Sequence, residues 1–246
     1  MERGTQEPGS ASSGRVRKRA KTYQAHRERQ RRKILDAAAK QFDESGIDRV
    51  TMAEITTASG VQPSTMYQYF SSKDDIVWAI VGELMQEQTE NATEAIKDAP
   101  HSLARIGALL EMMASDLSEH PDKVRFMAQF DAMYARDWPV ERLLSLESQM
   151  HPDPFRFFSE LIREGIADGS LRTDLDPDLT MHAVINAVIG AQRRLASLDS
   201  KVEKEYGKRV DELLRESIRV LLLGLCNPQV APEVEIEKSR NRKRSL

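Results

Sequence analysis

The sequence predicts an all-α protein, and three observations carry that prediction. Apolar residues recur at three-to-four spacing along most of the 246 residues, the period of one face of a helix. Alternating β-branched runs are few. Pro100, Pro121, Pro139, Pro152, Pro154, Gly169 and Pro177 fall between the periodic stretches, where helices are expected to stop. The expected architecture is a three-helix N-terminal unit followed by a larger helical body.

Each element has a local reason. The first 14 residues, MERGTQEPGSASSG, have almost no apolar side chain to offset the entropy of ordering. Residues 1–22 are therefore expected to be a disordered basic arm. From about Tyr23 to Ser45, Ile34, Leu35, Ala38, Ala39 and Phe42 form one helix face, and Gly46 stands where the helix ends. Ile47 and Val50 can close a small core beneath it.

Thr51 with Glu54 makes a capping box, so a short helix begins at Met52. It must end by Gly60, which supplies the positive φ of a tight turn, and Val61 anchors that turn inward. Pro63 is suited to the first turn of the next helix, which runs to Phe70 and is barely two turns long. Ile55, Val61, Met66 and Phe70 give the buried side, leaving Pro63, Ser64, Thr65, Tyr67 and Gln68 on or near the outer side. Ser72 and Asp75 form a second capping box, with Lys73 within reach of a phosphate. Further helices are expected near 73–97, 102–119, 121–135, 138–149, 153–168, 177–199 and 204–225. The domains are thus 1–22 (arm), 23–72, 73–228 and 229–246 (a disordered basic tail).

Charge is distributed unevenly. Residues 1–33 carry eleven Lys/Arg against three Asp/Glu, residues 34–237 have a net charge of −16, and residues 238–246 have +5. Basic arms beside a folded domain suit phosphate contact, and an acidic body repels DNA, so a duplex should meet the N-terminal end. The single cysteine, Cys226, excludes an intrachain disulfide and fits a reducing, cytoplasmic compartment. No run reaches the length of a membrane helix, and no secretory signal is expected.

A two-turn helix projecting hydroxyls and an amide suits the major groove, where hydrogen bonds to base edges read sequence. The stretch GVQPSTMYQYFSSKDDI resembles the recognition signature of the TetR family, the tetracycline-repressor-like transcriptional regulators, and the likeness covers roughly residues 28–80. Thr56 and Ser59 stand where that family more often has Ala, and Ile76 where Leu is usual. The resemblance implies that Thr51, Thr65, Tyr67, Tyr69 and Lys73 hold DNA phosphates, with Pro63, Ser64 and Gln68 against bases. It further implies a helix-turn-helix DNA-binding domain followed by a ligand-binding and dimerisation domain, and repression as the commoner mode.

In the body, Ala183, Ala187, Gly190 and Ala191 form a small-residue stripe on a helix begun by Asp176 and Pro177. The next helix carries Val210, Leu213, Leu214, Ile218, Leu221, Leu222 and Leu225, which would expose a broad apolar face in a monomer. The helices near 177–199 and 204–225 are therefore expected to form a homodimer interface, as the resemblance also implies. Met112, Phe126, Met127, Phe130, Tyr134 and Phe158 are candidates for an adaptable pocket accepting a hydrophobic small-molecule effector.

Two other classes compete with a promoter regulator. Catalysis is not expected: the five histidines show no metal-binding spacing, no G-x-S-x-G or phosphate-loop glycine pattern occurs, and no cofactor or metal site is foreseen. An architectural or partner-binding DNA-associated protein of the same fold is the alternative to a promoter regulator.

Overall fold

The structure is a computed structural model that describes the backbone of residues 10–150 and 154–229, and side chains over 22–149 and 156–229. Residues 1–9 of the expected arm and 230–246 of the expected tail lie outside the described residues. Eleven helices and no strand occur among the described residues: α1 Ser10–Ser45, α2 Met52–Ser59, α3 Pro63–Tyr69, α4 Lys73–Ile96, α5 Ser102–Glu119, α6 Pro121–Asp137, α7 Val140–Met150, α8 Pro154–Ala167, α9 Pro177–Leu198, α10 Lys201–Tyr206 and α11 Val210–Leu225.

Two boundaries differ from the sequence reading. Helix α1 starts at Ser10 rather than near Tyr23, so 10–22 is helical and not a disordered arm. The segment after Gly14 is rich in Arg, Lys and Ala, all good helix formers, and it extends a helix already fixed downstream. The single helix expected over 204–225 is two, because Gly207 takes a left-handed φ of 63° as the C-cap of α10 before α11 begins.

The chain divides into two compact units between Ile80 and Val81, inside α4 rather than at residue 72. Ile76, Val77 and Ile80 explain the shift, since these first turns of α4 are buried with the N-terminal core. That core is small and wholly apolar: Ile34, Ala38, Phe42, Ile55 and Met66 are each fully buried. The second unit has its own core of Ile106, Leu110, Ile162, Leu171, Met181 and Leu214, drawn from α5, α8, α9, α11 and the loop after α8. An isolated antiparallel bridge, Leu171 to Cys226, ties that loop to the end of α11. Asp176 caps α9 by accepting from the backbone N–H of Asp178 and Leu179 at 2.9 and 3.1 Å.

The apolar face of α11 is a further correction. Leu214, Ile218, Leu222 and Leu225 are buried inside their own unit, so they are not a dimer face. The outward apolar residues of α11 are Val220 and Leu223, and on α9 Leu179 is 65% exposed beside an outward Ala183, Ala187 and Gly190.

Candidate nucleic-acid interface and internal cavity

The helix-turn-helix is built by caps at each end of α2. The Thr51 hydroxyl accepts from the Glu54 N–H at 3.3 Å, and the Thr51 N–H and hydroxyl both donate to Glu54 Oε2 at 2.8 Å. These bonds, the side-chain one first, hold the Glu54 carboxyl below its ordinary pKa. Gly60 ends α2 at φ 66°, a value an L side chain adopts only with strain. Val61 then turns inward and Pro63 opens α3, with Met66 fully buried beneath it.

Burying Met66 fixes which side of α3 meets solvent. Pro63, Ser64, Tyr67 and Gln68 are exposed, Tyr67 at 61%. Thr65 and Tyr69 are half-buried, and the Arg27 guanidinium from α1 lies 5.7 Å from the centre of the Tyr69 ring. A polar groove runs between α1 and α3, walled by His26, Arg27, Gln30, Lys33, Thr65 and Gln68. Arg27 and Lys33 of α1 thus stand beside α3, which sequence periodicity alone did not indicate.

Two expected phosphate ligands already have structural partners. Lys73 Nζ donates to the carbonyls of Ile47 and Asp48 at 2.7 and 3.3 Å, tying the start of α4 to the α1–α2 loop. The Thr51 hydroxyl is engaged in its capping box. At the head of α4, Ser72 Oγ accepts from the Asp75 N–H at 3.2 Å, and the Asp75 carboxylate also accepts from the Ser71 hydroxyl.

The second unit holds a cavity of about 270 Å³ among α4, α5, α6, α7, α8 and α9. Of the expected pocket residues it brings together Met112, Met127 and Phe158. Phe126, Phe130 and Tyr134 are not in its wall. Phe130 instead stacks on Tyr134 and Trp138, with ring centres 5.8 and 5.5 Å apart. All four aromatic or Met candidates of α6 looked equivalent in composition, and only the phase of the helix separates Met127 from the others.

The wall also carries charge that composition could not place. Lys123 Nζ is held by both Glu87 oxygens at 2.7 Å, and Arg193 pairs with Asp131. Burial pushes the Arg193 guanidinium down to about 10. Burial, the leading cause, also raises the Asp116 carboxyl above its ordinary value, and it raises Glu147 likewise. No cluster of three or more His, Cys, Asp or Glu suited to a metal occurs among the described residues. No helix among them is long and apolar enough to cross a membrane.

A capped helix-turn-helix with an outward second helix has the arrangement of a DNA-binding domain. Residues 34–80 match the family model described as bacterial regulatory proteins, tetR family. It is 23% identical over 199 residues to the HTH-type transcriptional repressor KstR2 of Rhodococcus jostii (strain RHA1), covering 80% of this chain and 92% of that protein. It is 30% identical over 114 residues to the HTH-type transcriptional regulator BetI of Rhizobium meliloti (strain 1021), where the match spans 46% of this chain and 56% of the relative. The fold is similar to that of the transcriptional regulator FadR from Bacillus subtilis in complex with stearoyl-CoA, with a TM-score of 0.60 and 20% identity over 78% of this chain and 97% of that one.

Proposed function

We propose that the protein is a ligand-released repressor that binds a palindromic operator as a homodimer and acts in the cytoplasm. The observation that carries the reading is the exposure of Pro63, Ser64, Tyr67 and Gln68 on a helix whose opposite side is anchored by Met66. An exposed Gln amide can form paired hydrogen bonds with adenine in the major groove, each worth about 1–3 kcal/mol of discrimination. Thr65, Tyr67 and Tyr69 then contact phosphates, with Thr51 and Lys73 contributing beside their structural bonds. Arg27 and Lys33 of α1 add sequence-independent contacts that weaken with salt.

The dimer pairs α9 and α11 of two copies through Leu179, Ala183, Ala187, Val220 and Leu223, which one copy leaves exposed or small. Two copies of α3 must then stand one helical turn of DNA apart, about 34–36 Å. A ligand in the cavity of the second unit releases the operator only by favouring a form with a different separation.

Genome-wide footprinting with the full chain tests the proposal. A few promoter palindromes protected by the wild type are expected, with Gln68→Ala losing discrimination between operator and random duplex by about 10–100-fold and folding normally. Protection of many dispersed sites without a shared palindrome would favour the architectural reading, and retention of full specificity by Gln68→Ala would remove α3 as the reading helix.

A further inference from the structure

The polar groups around the cavity differ in what they have left to offer. Its two strong cations are occupied: both Glu87 oxygens hold Lys123, and Asp131 holds Arg193. Its other two carboxylates are not. Asp116 on α5 and Glu147 on α7 are half-buried and form no ion pair or carboxylate hydrogen bond among the described residues. His120 and Lys123 act on Asp116 through space, opposed by Glu87 and Glu119.

Gln192 adds a third, independent acceptor. It is 5% exposed and lines the cavity, and its Nε2 donates to the Met113 carbonyl at 2.6 Å. That bond fixes the amide's orientation, because a carbonyl can only accept, so the side-chain Oε1 is the atom left over. No hydrogen bond to Oε1 occurs among the described residues. The remaining lining includes Met85, Met112, Met113, Met127 and Phe158, soft thioethers and a ring face that tolerate positive charge.

We propose that this cavity takes a small lipophilic amine in its protonated form, with the ammonium directed to Asp116, Glu147 and Gln192 and the apolar body among the methionines. The inference rests on the effector reading above and names its ligand class. A buried cation is costly unless paired, and these carboxylates supply the pairing. A carboxylate or phosphate ligand would meet Asp116 and Glu147, neither of them in an ion pair, and find Lys123 and Arg193 already engaged. The volume, just under the range of about 300–1,000 Å³ typical of ligand pockets, favours a compact molecule.

Calorimetric titration of the full chain at pH 7 with octylammonium, octanol, octanoate and stearoyl-CoA tests this. Octylammonium is expected to bind at least about tenfold more tightly than octanol, equivalent to about 1.4 kcal/mol, and octanoate and stearoyl-CoA more weakly still. The double variant Asp116→Asn/Glu147→Gln, checked for folding by circular dichroism, should bring octylammonium to the octanol level and leave octanol unchanged. Ala92→Phe, which places a ring in the cavity wall, should weaken both. If octanol or an anionic probe binds as tightly as the amine while Ala92→Phe still weakens it, the cavity is a binding site and the cationic class is wrong. If no probe binds, or Ala92→Phe changes none of the affinities, the effector reading fails and this inference fails with it.

Discussion

The two units place their polar chemistry on opposite sides of their cores. In the first, Ser64, Tyr67 and Gln68 face water while everything beneath them is apolar. In the second, Glu87, Asp116, Lys123, Glu147, Gln192 and Arg193 line a partly open cavity. A surface that reads DNA keeps its hydrogen-bonding groups hydrated until the duplex arrives, so function there costs the fold little. A sensing cavity must hold such groups partly desolvated in advance. The carboxyl groups record the contrast: capping lowers the pKa of Glu54, whereas burial raises those of Asp116 and Glu147.

The comparison breaks most clearly if the two units do not respond separately to damage. Phe42→Ala empties a fully buried site in the first unit and should cost about 3–5 kcal/mol. The two tryptophans, Trp78 and Trp138, lie one in each unit, so Trp138→Phe and Trp78→Phe backgrounds each leave one fluorescent reporter. The Trp78 denaturation midpoint should fall sharply with Phe42→Ala while the Trp138 midpoint moves little. Equal movement of both would mean one cooperative body and would end the two-unit description.

A matching probe exists in the second unit. A Cβ at Gly165 would stand 2.9 Å from Ser102 Cβ and closer still to the Leu171 side chain. Leu171 is fully buried and its backbone is tied to α11, so it cannot move aside freely. Gly165→Ala gains about 1 kcal/mol of helix propensity and loses about 1–3 kcal/mol to overpacking. A net loss confined to the Trp138 transition is expected, and a stabilised variant would show that this junction is loose.

Thr51→Ala should cost the first unit about 1 kcal/mol by removing the cap of α2. It should also alter the pH response. A carboxyl whose folded pKa is depressed contributes stability that is present above its unfolded pKa and is lost as pH falls through the folded one. Wild type should therefore lose the Glu54 contribution on acidification below its ordinary pKa of 4.5, and the Trp78 midpoint of Thr51→Ala should fall less over that window. Parallel pH curves would show that the box contributes no linkage.

How much of this was legible in the sequence follows the same division. The caps at Thr51, Gly60 and Pro63 act over three or four residues, so α2 and α3 and their outward positions could be read directly. The bundle depends on helix phase and long-range pairing. Composition named Met112, Met127 and Phe158 along with Phe126, Phe130 and Tyr134, but could not tell which side of α6 faced the cavity. Leu214, Ile218 and Leu222 looked like an interface because a sequence does not reveal what already covers them. Asp116 and Glu147 are not singled out by the sequence, since nothing near them in the chain brings α5 and α7 to one cavity. Composition alone points to disorder over residues 10–22, whereas a helix anchored at Ile34 continues backward through any good helix former.

The smallest expected effect sharpens the comparison by its sign. Asp116 has a folded pKa raised first by burial and then by Glu87, with His120 and Lys123 opposing. A raised carboxyl favours the folded state most where it is protonated, and that advantage is lost as pH rises through its folded pKa. At pH 7 the charge therefore works against the second unit, and Asp116→Asn should leave its melting temperature unchanged or slightly higher. Below the ordinary Asp value of 3.8 the two proteins should converge, because both then carry a neutral group there. Melting curves of the Trp138 reporter between pH 3 and 7 distinguish the outcomes. A variant less stable than wild type at pH 7 would mean that Asp116 is a structural ion-pair partner, and the proposed amine site would lose one of its two carboxylates.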